Sequence, residues 1–225
     1  MSLTSPLDPT TIFELRNRVI EWYKERGDKL LPWRLKKDAW TALLASLLLR
    51  RTRAERAAEL FQEVLARLPS PREAAEASEE ELRGLLRPLG LQNLRAKEII
   101  EIARLIIKRW GGSIPCSGRA LAELPGVGRY SASMILMAAC ERPEPLLDSN
   151  AARVIGRLFG VDVSRGGERK LEVLVRLLAP QSPEAKEFTL GLIDLGRKIC
   201  RARAPVCHAC PLRDLCRYAS RTRRS

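Results

Sequence analysis

Four of the six cysteines crowd the C-terminus: Cys200, Cys207, Cys210 and Cys216, in a C-x6-C-x2-C-x5-C run. Thiolates are soft ligands, and four of them can hold a structural zinc or an iron–sulfur cluster. Zinc ribbons usually join two C-x2-C knuckles from separated segments. Here one C-x2-C lies inside a single short loop, which favours one segment wrapped around a cubane cluster. His208 sits between two of these cysteines and reads as a bystander, because four thiolates already complete a ligand set. Cys116 and Cys140 stand apart and read as inert core thiols. The N-terminus has no basic stretch leading into an apolar one, so a secreted disulfide framework is not expected.

A second cluster is Leu124-Pro-Gly-Val-Gly128, between two predicted helices. Pro125 stops the first, and Gly126 and Gly128 allow a tight turn and a close approach by a ligand. Amides at the start of the next helix can then hold an anion such as a phosphate. An ordinary helix–turn–helix corner would use the same residues. Further on, Asp148 immediately precedes a predicted helix, where a carboxylate can act as an N-cap or as a catalytic group.

The elements that must position these residues are helices. Ile12, Leu15, Val19 and Tyr23 share one face of a first helix, opened by Asp8-Pro9 and closed near Gly27. Thr52 with Glu55, Ser70 with Glu73, and Ser78 with Glu81 have capping-box spacing. Asn93 is placed to cap a long helix ending at Trp110, and Ser182-Pro183 to open another. Further helices are expected over 38–50, 118–123, 129–140, 149–159 and 168–178, and the end from Arg217 to Ser225 is expected to fray. No stretch alternates with period two. The expected fold class is all-α, about ten helices with short connections.

The chain has 225 residues, enough to bury a core, with 40 Lys plus Arg against 27 Asp plus Glu, a net charge of +13. That field favours a polyanion, nucleic acid before an anionic membrane surface. The longest strongly apolar run, Trp40 to Leu49, is too short to span a bilayer. A cytoplasmic protein without a membrane partner is expected, as a monomer.

Together these pieces resemble the helix-hairpin-helix DNA glycosylases of the endonuclease III and MutY superfamily. The resemblance covers nearly the whole chain. It rests on Leu31-Pro-Trp-Arg34, Leu48-Leu-Arg-Arg-Thr52, Gly90-Leu91 leading to Arg95-Ala96, Leu124-Pro-Gly-Val-Gly128 followed by Asp148, and the cysteine loop, in that order. It implies a two-lobed fold: a six-helix barrel over 31–142, and an iron–sulfur lobe built from 1–30 and 143–225. The implied cofactor is a [4Fe–4S] cluster on Cys200, Cys207, Cys210 and Cys216, with a monovalent cation at the hairpin. The implied partner is double-stranded DNA carrying a mismatched or damaged base.

The same resemblance assigns roles. Arg50 and Arg51 match a loop that inserts into the duplex, and Leu91 matches a second wedge. Gly126, Val127 and Gly128 would bind phosphate through their amides, and Arg201 and Arg203 would add basic contacts. Asp148 matches the catalytic carboxylate and Asn150 a polar residue supporting it. Bifunctional relatives carry a lysine where this chain has Tyr130, which cannot form a Schiff base. Tyr130 is similar to the residue found in archaeal glycosylases that remove thymine or uracil opposite guanine. Adenine-removing relatives carry a glutamate at the position of Ser46 and continue into a further domain. The resemblance therefore implies a monofunctional thymine/uracil mismatch glycosylase. A MutY-like adenine glycosylase, a non-catalytic helix-hairpin-helix DNA-binding protein and an electron carrier are the alternatives.

Overall fold

In the computed structural model, residues 8–140, 142, 146–162, 167–181 and 184–222 are described. They form helices and turns, with no strand among them. The described residues within Met1–Asp28 and Pro145–Ser225 make one compact unit, and those within Lys29–Glu144 another.

The second unit carries α2 (Pro32–Leu35), α3 (Ala39–Leu48), α4 (Ala54–Arg67), α5 (Pro71–Glu76), α6 (Glu79–Leu86), α7 (Gln92–Trp110), α8 (Gly118–Leu121) and α9 (Arg129–Ala139). Its centre is α3, buried from Trp40 to Leu48, because the segment is apolar on every face. α3 packs on α9, and α7 packs on α5 and α6. Trp40 satisfies its buried indole N–H on the Leu68 carbonyl at 2.8 Å. Ser46 is fully buried, and its hydroxyl donates to the Leu43 carbonyl at 2.8 Å.

The first unit carries α1 (Pro9–Arg26), α10 (Ser149–Phe159), α11 (Glu168–Leu178), α12 (Ala185–Lys198) and α13 (Arg217–Thr222). α12 packs against α1 and α10 and is buried almost all round. Its Asp194 is fully buried and accepts the Asp28 N–H at 2.8 Å, while Arg197 lies 3.2 Å from the Asp28 carboxylate. No helix of the described residues is long and apolar enough to cross a membrane.

Several local expectations need correction. Ser70 and Ser78 are N-caps, but Thr52 is not: α4 is preceded by Arg53, because the Thr52 hydroxyl is taken by Arg95. α7 starts at Gln92 with Leu91 at the N-cap, so Asn93 lies inside the helix. Residues 217–222 form α13 instead of fraying. Ser182-Pro183 and residues 223–225 lie outside the described residues.

The largest correction concerns Cys116 and Cys140. They are not separate core thiols; they form a disulfide with Cα atoms 5.6 Å apart. Cys116 is exposed, just before α8, and Cys140 ends α9. The bridge therefore brackets the whole segment from α8 to α9.

Candidate active site and nucleic-acid interface

The hairpin is built by two helices and one left-handed glycine. Ser117 caps α8, and α9 opens at Gly128, which supplies no side-chain cap. Between them Gly126 has φ +70°, and a Cβ there would stand 2.8 Å from Glu98 Oε1. The backbone conformation favours glycine at 126, and a larger residue there would also displace the Glu98 carboxylate on α7. Val127 is buried and donates its N–H to the Leu124 carbonyl at 3.1 Å, so this amide is already committed. The amides of Gly126 and Gly128 find no acceptor among the described residues, and Gly128 faces open space. Unpaired amides at the start of an eleven-residue helix attract an anion. Tyr130 stands half-buried in the first turn of α9.

Two loop tips belong to the same unit. Arg51 and Leu91 both have φ +54°, the left-handed region that non-glycine residues avoid at a cost of roughly 1–2 kcal/mol each. Strain of this kind concentrates at functional sites. The Arg51 side chain is exposed, and Leu91 is 43% exposed. Arg50 differs from its neighbour: its guanidinium forms a half-buried ion pair with Glu98, beside the hairpin's Gly126. Arg50, Arg51, Leu91 and the hairpin thus come together around α7.

The other unit holds Asp148 at the N-cap of α10. Its Oδ1 accepts the amides of Asn150 at 2.9 Å and Ala151 at 2.7 Å. Its Oδ2 accepts the Asn150 side-chain amide at 2.7 Å. The cap and the candidate catalytic carboxylate are one group: capping fixes its rotamer, and the helix dipole stabilises its charge. Asn150 is held in turn by Arg153, whose Nη2 donates to Asn150 Oδ1 at 2.8 Å and to the Gly196 carbonyl at 2.8 Å. Arg153 Nε donates to the Cys200 carbonyl at 2.7 Å. Close passage of α12 makes this possible, since a Cβ on Gly196 would lie 2.6 Å from the Asn150 Cβ.

Cys200, Cys207, Cys210 and Cys216 are all half-buried and free of disulfides. Burial pushes the Cys210 thiol up to about 11, and the nearby Cys200, Cys216 and Cys207 push the same way. The four sulfurs sense one another's charge, so four thiolates need a cationic group among them to coexist. Among the described residues, no group of three or more His, Cys, Asp or Glu is arranged to hold a metal ion. The donor chemistry of four free thiols in one loop fits an iron–sulfur group. Arg157 pins the loop by donating to the carbonyls of Arg201 at 2.8 Å and Ala202 at 3.0 Å, and to Cys200 Sγ at 3.4 Å. Arg201 and Arg203 are exposed on it. His208 is exposed between its cysteine neighbours.

Arg95, Glu98, Arg153 and Gly196 were not candidates on sequence grounds. Arg153 follows Asn150 by three positions on one helix face, a spacing that could have suggested the contact. Nothing local marks Gly196.

Residues 44–179 match a family model described as HhH-GPD superfamily base excision DNA repair protein. The chain is 49% identical over 216 residues to the thymine-DNA glycosylase of Aeropyrum pernix, a match covering 94% of this chain and 97% of that one. It is 44% identical over 203 residues to the thymine/uracil-DNA glycosylase of Pyrobaculum aerophilum, covering 88% of each. The solved structure of a thermostable thymine-DNA glycosylase superposes with a TM-score of 0.86 at 29% identity, covering 95% of this chain and 100% of that one.

Proposed function

Because the chain belongs to the HhH-GPD superfamily of base excision DNA repair proteins, we propose that it is a monofunctional DNA glycosylase. Its substrate is thymine or uracil opposite guanine in double-stranded DNA, and its product an abasic site. The observation that carries this reading is the Asp148 carboxylate, fixed at a helix N-terminus by two amides and the Asn150 side chain.

The target nucleotide must leave the stack before its glycosidic bond can be reached. Amides of the hairpin hold a backbone phosphate, and Arg51 and Leu91 take the space vacated. When the bond between the sugar and the base nitrogen breaks, its electron pair leaves with the base, and positive charge builds on the sugar. Asp148 stabilises that charge and accepts a proton from the water that adds to the sugar carbon. Because Asn150 and the helix amides fix the carboxylate beforehand, little reorganisation is needed during reaction. A phenol at Tyr130 cannot form a Schiff base, so the backbone stays intact. Ser46 is buried and donates its proton to the Leu43 carbonyl, which leaves it no route to protonate an adenine.

The reading assigns 31–142 to a six-helix barrel lobe, 1–30 with 143–225 to a cluster lobe, and a monovalent cation to the hairpin. Cys200, Cys207, Cys210 and Cys216 would hold a [4Fe–4S] cluster. When bound, it would cross-link the loop and offset part of the charge of the four thiolates. Arg201 and Arg203 on that loop then face DNA phosphates. The protein works as a cytoplasmic monomer on the chromosome. Asp148→Asn is the test. Excision should fall by at least about 100-fold, as expected for loss of a general base, with duplex affinity retained. Excision at the wild-type rate would remove Asp148 from the mechanism.

A further inference from the structure

We infer that Arg95 is a positioning residue for base extrusion, a buried clamp that locks the Arg50–Thr52 and Leu89–Leu91 loops into one wedge. The inference rests on the glycosylase reading above. Arg95 lies in the first turn of α7 and is 1% exposed. A buried cation normally lies against a carboxylate. Arg95 instead spends its two terminal nitrogens on loop oxygens, one nitrogen per loop. Nη1 donates to the carbonyls of Leu89 at 3.1 Å and Gly90 at 2.9 Å. Nη2 donates to the Arg50 carbonyl and to Thr52 Oγ1, the latter at 2.7 Å.

The choice of acceptors matters. A carbonyl lies in the peptide plane that joins its residue to the next, so holding it restrains the φ of that next residue. Pinning the Arg50 carbonyl restrains Arg51, and pinning the Gly90 carbonyl restrains Leu91. Those are the two exposed residues with φ +54°. The clamp thus acts on the two unfavourable backbone conformations at the wedge tips. The Thr52 hydroxyl, itself donating to the Arg50 carbonyl at 3.3 Å, is recruited to the same knot.

Only a planar fork can serve both loops, since the single nitrogen of lysine cannot stand at both sets of acceptors. One turn along α7, Glu98 pairs with the Arg50 side chain and touches the position of Gly126. Loops free to move independently would yield when pressed into stacked bases. Loops fixed to one helix transmit the hairpin's grip on the backbone to the base being extruded.

The test uses the full-length protein and the variants Arg95→Met and Arg95→Lys. Three quantities are read: single-turnover excision from a G·T duplex at saturating protein, affinity for undamaged duplex, and hydrogen exchange of the backbone amides. Arg95→Met should slow excision about 10- to 100-fold, the ratio expected for losing charge-assisted hydrogen bonds. Affinity for undamaged duplex should stay within about threefold, because the hairpin amides that supply sequence-independent binding are untouched. Exchange should rise in the segments around 50–52 and 90–92. Arg95→Lys should recover part of the rate and protect one loop only.

Wild-type excision with unchanged exchange in Arg95→Met would overturn the inference. So would a loss of undamaged-duplex affinity equal to the loss in rate, which would mark a general structural role. If Arg95→Met does not fold, the same criteria apply to Arg95→Lys, and wild-type behaviour there is equally fatal. If the unmodified protein excises neither thymine nor uracil, the glycosylase reading fails. The clamp then stands or falls on whether exchange rises in those two loops alone.

Discussion

Replacing both Cys116 and Cys140 by alanine removes a staple around the hairpin. The two cysteines are 24 positions apart, and the loop they close contains α8, the Leu124–Gly128 turn and α9. In the unfolded chain, freeing a loop of that length restores conformational entropy worth roughly 3.5 kcal/mol. Little packing is lost with the bridge, because Cys116 is exposed and Cys140 half-buried. For a chain of this size, about 2–4 °C of melting temperature accompanies each kcal/mol, so the melt should fall by about 7–14 °C. The assay is a calorimetric scan of both proteins, with alkylation of the unreduced protein to count free thiols by mass. Cys116 and Cys140 should resist alkylation in the unreduced protein. Melting within about 2 °C of the wild type, far below the expected shift, would refute the reasoning, as would ready alkylation of both residues.

Two further expectations concern the support of Asp148. Arg153→Met removes the donors to Asn150 Oδ1 and to the Gly196 and Cys200 carbonyls. It should cost about 2–4 kcal/mol in a denaturant melt and slow single-turnover excision, with undamaged-duplex affinity retained. Gly196→Ala drives a methyl group into Asn150, whose Cβ would stand 2.6 Å away. It should destabilise by about 1–3 kcal/mol and lower the excision rate at saturating DNA. Wild-type rates in either variant would show that Asn150 does not orient the carboxylate.

Much of the fold is legible in the sequence because its signals are local. Helical period locates 149–159 and 168–178 at their observed limits, and Asp148 caps the first of them. Tertiary contacts override the local signals elsewhere. Thr52 has capping spacing, yet a buried arginine 43 positions away claims its hydroxyl. Leu91 has no side-chain signal for an N-cap and takes that place only in a left-handed conformation. Asp148 is readable because capping is a short-range pattern. Asn150, and Arg153 three positions beyond it, share that short range, whereas the Gly196 and Cys200 carbonyls that hold Arg153 lie far along the chain and carry no residue signature. The cysteines divide in the same way. Four of them lie close in sequence, whereas Cys116 and Cys140 meet only when α8 and α9 fold back on each other.

The central claim is tested most directly by incubating the protein with end-labelled duplexes. These contain G·T, G·U, A·8-oxoguanine or thymine glycol, and each is resolved with and without hot alkali. Breaks at G·T and G·U that appear only after alkali are predicted: the base is gone and the backbone intact. Breaks opposite 8-oxoguanine would contradict the pyrimidine assignment. Breaks before alkali would contradict the absence of a lyase nucleophile at Tyr130.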